Sequence, residues 1–116
     1  MANEEQVAKL KEGAQVWNAW RESNPAEHID LQGANLECVN LQGANLIEAN
    51  LQEVTLKGAN LQWASLQEAN LQRSNLQGAN LEYVNLQGTN LQEASYNWYT
   101  LWPEGFDPIA TGARPD

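Results

Sequence analysis

The sequence predicts an all-β solenoid, a chain that turns a corner every five residues around a filled axis, with an α-helix capping its N-terminal end. Three observations carry this prediction. Leucine recurs at every fifth position from Leu31 to Leu91, and Tyr96 and Leu101 continue the spacing. Two places before each leucine stands a small or β-branched residue, as in Ala34, Val39, Val54, Ser74 and Thr89. One place before it stands Asn or a near substitute, as in Asp30, Asn35, Thr55 and Ser65. A helix would spread such leucines around its cylinder, because each fifth residue advances about 500°. A flat strand would send them to opposite faces, since five is odd. A chain that bends every five residues gathers all of them on one line, where a large and a small inward residue per side fill a narrow core.

The first element covers residues 1–28. Residues 3–23 read as one amphipathic helix, with Val7, Leu10, Ala14, Trp17 and Trp20 on a single stripe. Asn3 is its expected N-cap, and Gln6 completes a capping-box pattern. Asn24-Pro25 ends it. The two tryptophans are expected to lie over the open end of the first coil, because repeat arrays need caps; a partner-binding helix is the competing reading.

The second element, residues 29–98, is the array itself, fourteen units of five without insertion. The Asn slot suits local side-chain hydrogen bonds to backbone at a turn. The two places after each leucine vary freely and read as solvent positions. Gly33, Gly43, Gly58, Gly78 and Gly88 permit the positive φ of a type II turn. Cys38, Trp63 and Tyr83 hold the same slot, so those corners are open to another turn type. Stacked coils lie about 4.8 Å apart, so residues one coil apart should carry complementary charges. At a separation of twenty, Glu53, Arg73 and Glu93 alternate in sign and Glu37 meets Lys57, with Glu48 over Glu68 the exception. At fifteen there is no attractive pair, so four sides per coil is favoured.

This pattern resembles the pentapeptide-repeat family, whose motif is A(D/N)LXX. LQGANL stands at 31–36 and 41–46, and LQGTNL at 86–91. The resemblance implies a right-handed quadrilateral β-helix. Tyr96 at a centre and Thr55, Ser65 and Ser95 in the Asn slot depart from the motif. The flanks resemble those of short cyanobacterial members.

The third element, residues 99–116, is expected to be an aromatic cap followed by a mobile tail. Tyr96, Trp98, Tyr99, Trp102 and Phe106 read as a plug over the last coil. Pro103 and Pro108 cannot donate to a ladder and should stop its growth. Residues 109–116 read as the tail.

Composition narrows the function. Fifteen acidic against six basic residues give a net charge of −9, which argues against direct nucleic-acid binding, since phosphate contacts need clustered Lys and Arg. No run approaches the roughly 18 apolar residues of a membrane span, and the polar, acidic N-terminus is no secretory signal. A cytoplasmic protein is therefore expected. One cysteine, Cys38, and one histidine, His28, exclude disulfide frameworks and multi-Cys or multi-His metal sites. They are also the sole candidates for a nucleophile–base pair, and nothing supplies a third, orienting group. Glu48 and Glu68, if stacked, could share a proton or hold a cation, but surface carboxylates ordinarily splay into water. Gln32, Gln52, Gln72 and Gln92 should form a column, a side-chain ladder needing no ligand. Ile47 on the fourth side is an ordinary exposed apolar residue. No catalytic, cofactor or metal residues are assigned.

The candidate binding surface is aromatic. Trp63 and Tyr83 share a column on the third side, with Trp102 as its continuation. They are either a protein-interaction patch or a mutually stacked pair covering the sheet. The leading functional expectation is a non-catalytic interaction or scaffold module, monomeric or weakly dimeric, with an unidentified protein partner. The family resemblance implies an alternative, an acidic DNA-mimicking inhibitor of DNA gyrase or another DNA-binding protein. Magnitudes weigh against it. Three and a half coils span about 17 Å, over which B-DNA carries ~10 negative charges. Residues 29–98 hold seven acids and two bases, a net charge of −5.

Overall fold

The computed structural model of the chain describes residues 1–116. Its frame is a ladder of parallel bridges in which each Asn-slot residue pairs with the one twenty positions on, from Asp30 with Asn50 through to Asn75 with Ser95. One coil is therefore four units of five. The first side is centred on Leu31, Leu51, Leu71 and Leu91, and the second on Leu36, Leu56, Leu76 and Tyr96. The third is centred on Leu41, Leu61 and Leu81, and the fourth on Leu46, Leu66 and Leu86. The leucines from 31 to 81 are fully buried, and the small residues before them complete the same core.

The motif follows from where the five amide N–H groups of each unit go. The leucine N–H donates to the carbonyl of an Asn-slot residue one coil on, as Leu51 does to Asn70 at 2.7 Å. The corner N–H also donates one coil on, but to the residue after the leucine, Gly33 to Gln52 O at 2.9 Å. The small residue closes the turn onto its preceding leucine, Ala34 to Leu31 at 3.0 Å. The Asn-slot N–H donates one coil back, Asn50 to Ile29 at 2.9 Å. The fifth N–H, just after the leucine, is left over, and the Asn side chain takes it: Gln52 N donates to Asn50 Oδ1 at 3.1 Å and Gln62 N to Asn60 Oδ1 at 3.0 Å. An exposed polar side chain is thus fixed in type by a backbone donor that has no other partner.

Every corner from 33 to 93 has positive φ, 69–76° at the glycines and 59–66° at Cys38, Trp63, Tyr83 and the other non-glycine corners. There is no second turn type. The ladder above and below imposes the same corner everywhere, and non-glycine residues accept a left-handed conformation that costs on the order of 1 kcal/mol each.

The N-terminal cap is two helices, not one. α1 (Glu4–Lys11) and α2 (Ala14–Ser23) are broken at Gly13, whose φ of 116° no helix accommodates. Asn3 caps α1 as expected, accepting from Glu5 N and Gln6 N. Gln6 does not reach back, because the Asn3 N–H already donates to Asp30 O at 2.8 Å. Its buried side chain instead clamps the linker: Nε2 donates to His28 O and Oε1 accepts from Asp30 N, both at 2.8 Å. Trp17, fully buried over the first coil, donates from Nε1 to Asn45 O at 2.8 Å. Asn18 accepts from Asn45 N, and Arg21 donates to Asn45 O and Ile47 O. Burial lowers the pKa of the Arg21 guanidinium, with Glu48 acting in the opposite direction. These contacts pair the free ladder edge on the first and fourth sides, where it would otherwise offer unpaired backbone to another chain.

The C-terminal end departs furthest from the sequence expectation. An extra residue in the Asn97–Tyr99 corner shifts the register, so Asn80 pairs with Leu101 rather than with residue 100. Thr100 then takes the small inward slot and secures the bulge, its hydroxyl donating to Leu76 O at 2.8 Å. Leu101, expected as a centre, occupies the outward Asn slot and is exposed. Residues 109–116 are not a free tail. A 3-10 turn at Ile109–Thr111 leads into β2 (Arg114–Pro115), which pairs in parallel with β1 (Ser95–Tyr96), and Ala113 enters the core. Proline is tolerated there because the bonds come from its neighbours: Arg114 N donates to Ala94 O and Asp116 N to Tyr96 O.

Candidate interaction site

Trp63 and Tyr83 stand one coil apart on the third side, held by the corners that follow Leu61 and Leu81. Their rings stack with centroids 4.5 Å apart and planes 12° from parallel, and each residue remains 61% exposed. The stack covers part of each ring, and the outer faces stay open to solvent. Gly43 precedes Trp63 in this column, so the column carries no aromatic side chain on its N-terminal side, where Asn18 Nδ2 donates to Gly43 O at 3.0 Å. Corner strain does not single these residues out, because Glu48, Glu68 and Arg73 share the same φ.

Trp102 does not extend the column. The register shift moves it inward to the leucine position above Leu81, where it is half-buried against the core. Tyr96 meets it edge-on at 5.4 Å and Phe106 stacks on it at 5.2 Å. These three rings are the plug. Trp98 and Tyr99, expected to belong to it, point into solvent at 88% and 74% exposure. Trp102 nevertheless borders the C-terminal end of the column. Together with Glu82, Tyr83, Pro103 and Glu104 it lines an open cleft of about 260 Å³.

The other candidates do not converge. His28 and Cys38 are both exposed, and the backbone carbonyl of His28 is held by Gln6. The Glu68 carboxylate lies over Gly88, toward the C-terminal end, and so does not meet Glu48. No group of three or more His, Cys, Asp or Glu side chains gathers with the geometry of a metal site. The glutamine column forms no Gln–Gln ladder; Gln32 and Gln52 bond to Asn50 instead. Arg73 does lie between Glu53 and Glu93, at 3.7 and 4.0 Å. Ile47 is half-buried rather than exposed. No helix is long and apolar enough to cross a membrane.

A four-sided coil with a leucine axis and variable outward columns defines the class: a solenoid whose surface, not its interior, is available to ligands. The family model described as pentapeptide repeats (8 copies) matches this chain over residues 27–62 and 59–95, and the chain belongs to that family, whose fold is the right-handed quadrilateral β-helix. Among solved structures, a pentapeptide repeat protein from Nostoc PCC 7120 is 32% identical over 85% of this chain and 94% of its own, with a TM-score of 0.45. A pentapeptide repeat protein from the Arabidopsis thaliana thylakoid lumen is 24% identical over 75% of this chain and 60% of its own, with a TM-score of 0.57. HetL, a Nostoc pentapeptide repeat protein involved in heterocyst differentiation regulation, is 27% identical over 72% of this chain and 48% of its own, with a TM-score of 0.44. No curated protein matches.

Proposed function

We propose that this protein is a non-catalytic interaction or scaffold module of the cytoplasm that engages a protein partner through the Trp63–Tyr83 column. The observation that supports the reading is the exposed stacked pair itself. Two large rings held at 4.5 Å lose little conformational freedom on binding. Aromatic anchors of this kind dominate the energetics of protein interfaces. The axis is filled by leucine, which leaves the outer columns to do the recognition. Charge weighs against DNA mimicry: the repeats carry a net −5 where an equal length of duplex carries ~10 negative charges.

The test is affinity capture from the native cell with the immobilised full chain and a Trp63→Ala/Tyr83→Ala variant. Proteins retained by the wild type should fall at least tenfold with the variant, whose far-UV spectrum should be unchanged. An identical set of captured proteins contradicts the reading.

A further inference from the structure

We propose that the cleft at the C-terminal end of the aromatic column binds an arginine side chain from a basic segment of the partner. The inference rests on the interaction reading above and adds the partner's chemistry. The cleft, about 260 Å³ and open to solvent, is lined by two aromatic residues, Tyr83 and Trp102, and two acidic ones, Glu82 and Glu104, with Pro103. A guanidinium stacks on an aromatic face and pairs with carboxylates in one planar geometry, which a compact ammonium does not match.

The distribution of charge around the coil gives the same answer. Lys57 and Arg73, the bases of the repeats, lie on the first and second sides, where Arg73 pairs with Glu53 and Glu93. The third and fourth sides carry Glu48, Glu68 and Glu82 and no Lys or Arg in the repeats. Arg21 of α2 is occupied at the other end of the coil by the carbonyls of Asn45 and Ile47. Glu82 receives one hydrogen bond of 3.4 Å from Gln62 and forms no ion pair, and neither does Glu104. The aromatic column therefore ends in two carboxylates that form no ion pair, on the two sides whose repeats contain no Lys or Arg.

The experiment is fluorescence anisotropy with the full chain and a dye-labelled peptide of alternating glycine and arginine, beside the same peptide with citrulline. The variant is Glu82→Gln/Glu104→Gln. It should fold, because glutamine already stands at 42 and 62 in the column of Glu82, and Glu104 is exposed. A Glu53→Gln/Glu93→Gln variant changes net charge equally on the first side. The expected result is saturable binding of the arginine peptide, weakened at least tenfold by the cleft variant and less than twofold by the control, with no binding of the citrulline peptide. Equal weakening by both variants means diffuse attraction and overturns the proposal, as do equal binding of citrulline or no saturable binding. Self-association that the cleft variant abolishes assigns the cleft to a second copy and also overturns it. Failure here leaves the Trp63–Tyr83 capture result unaffected, so the two readings fail separately.

Discussion

At the scale of single residues, the Asn slot shows how a surface side chain is dictated by the backbone. Its oxygen is the partner of the one N–H that neither the coil above nor the coil below reaches. At Thr55 that bond is missing, and the Lys57 N–H is left without a side-chain acceptor. Thr55→Asn should therefore stabilise the fold by about 1 kcal/mol, and Asn60→Ala should destabilise it by a similar amount. Urea denaturation of the two variants checks both signs; an unchanged midpoint for both shows that water serves the N–H equally well. The sequence displayed this slot plainly, because the requirement repeats at every turn. It could not display Trp102, whose role depends on one extra residue in the Asn97–Tyr99 corner. A five-residue spacing counted without that bulge puts Leu101 on the axis and Trp102 outside, the reverse of what the register gives.

At the scale of elements, the two ends illustrate opposite kinds of legibility. The N-terminal stripe of Val7, Leu10 and Trp17 was readable because its apolar residues have to be buried somewhere, and the first coil offers its open core. The break at Gly13 and the task of Gln6 were not readable, since both depend on the distance between α1 and Asp30. Gln6→Leu keeps the volume but leaves His28 O and Asp30 N unpaired at a largely buried site. It should cost about 2 kcal/mol. Urea unfolding should show the lower midpoint, and amide exchange should accelerate first in residues 29–32; an unaltered midpoint assigns no structural weight to the clamp. The C-terminal segment differs from its sequence expectation for a related reason. Pro103 and Pro108 suggest an end to the ladder, whereas Arg114–Pro115 beyond them pairs with Ser95–Tyr96 in a register where the neighbours of Pro115 supply the donors. Local composition could not show that Ala113 returns to the axis.

At the scale of the whole molecule, the charge alternation at separations of twenty anticipated the four-sided coil, and the bridges give that same offset throughout the repeats. The aromatic column was legible for the same reason, as two residues twenty apart in one slot. The cleft beside it was not, because it exists only where the shifted last coil meets the regular one. The outward columns are defined by the coil length. The chain provides a direct probe of that length. Cys38 is its one cysteine, and a Cβ built on Gly58 lies 3.1 Å from Cys38 Sγ, about the approach a disulfide requires. The most direct measurement is therefore mild oxidation of Gly58→Cys, read by intact mass and thiol titration and compared with Glu53→Cys and Trp63→Cys. Gly58→Cys should form an intramolecular disulfide rapidly, and its two neighbours on the sequence should keep both thiols free. Bridging at 53 or 63 in preference to 58 would contradict a coil of twenty residues, and with it the columns on which the interaction surface depends.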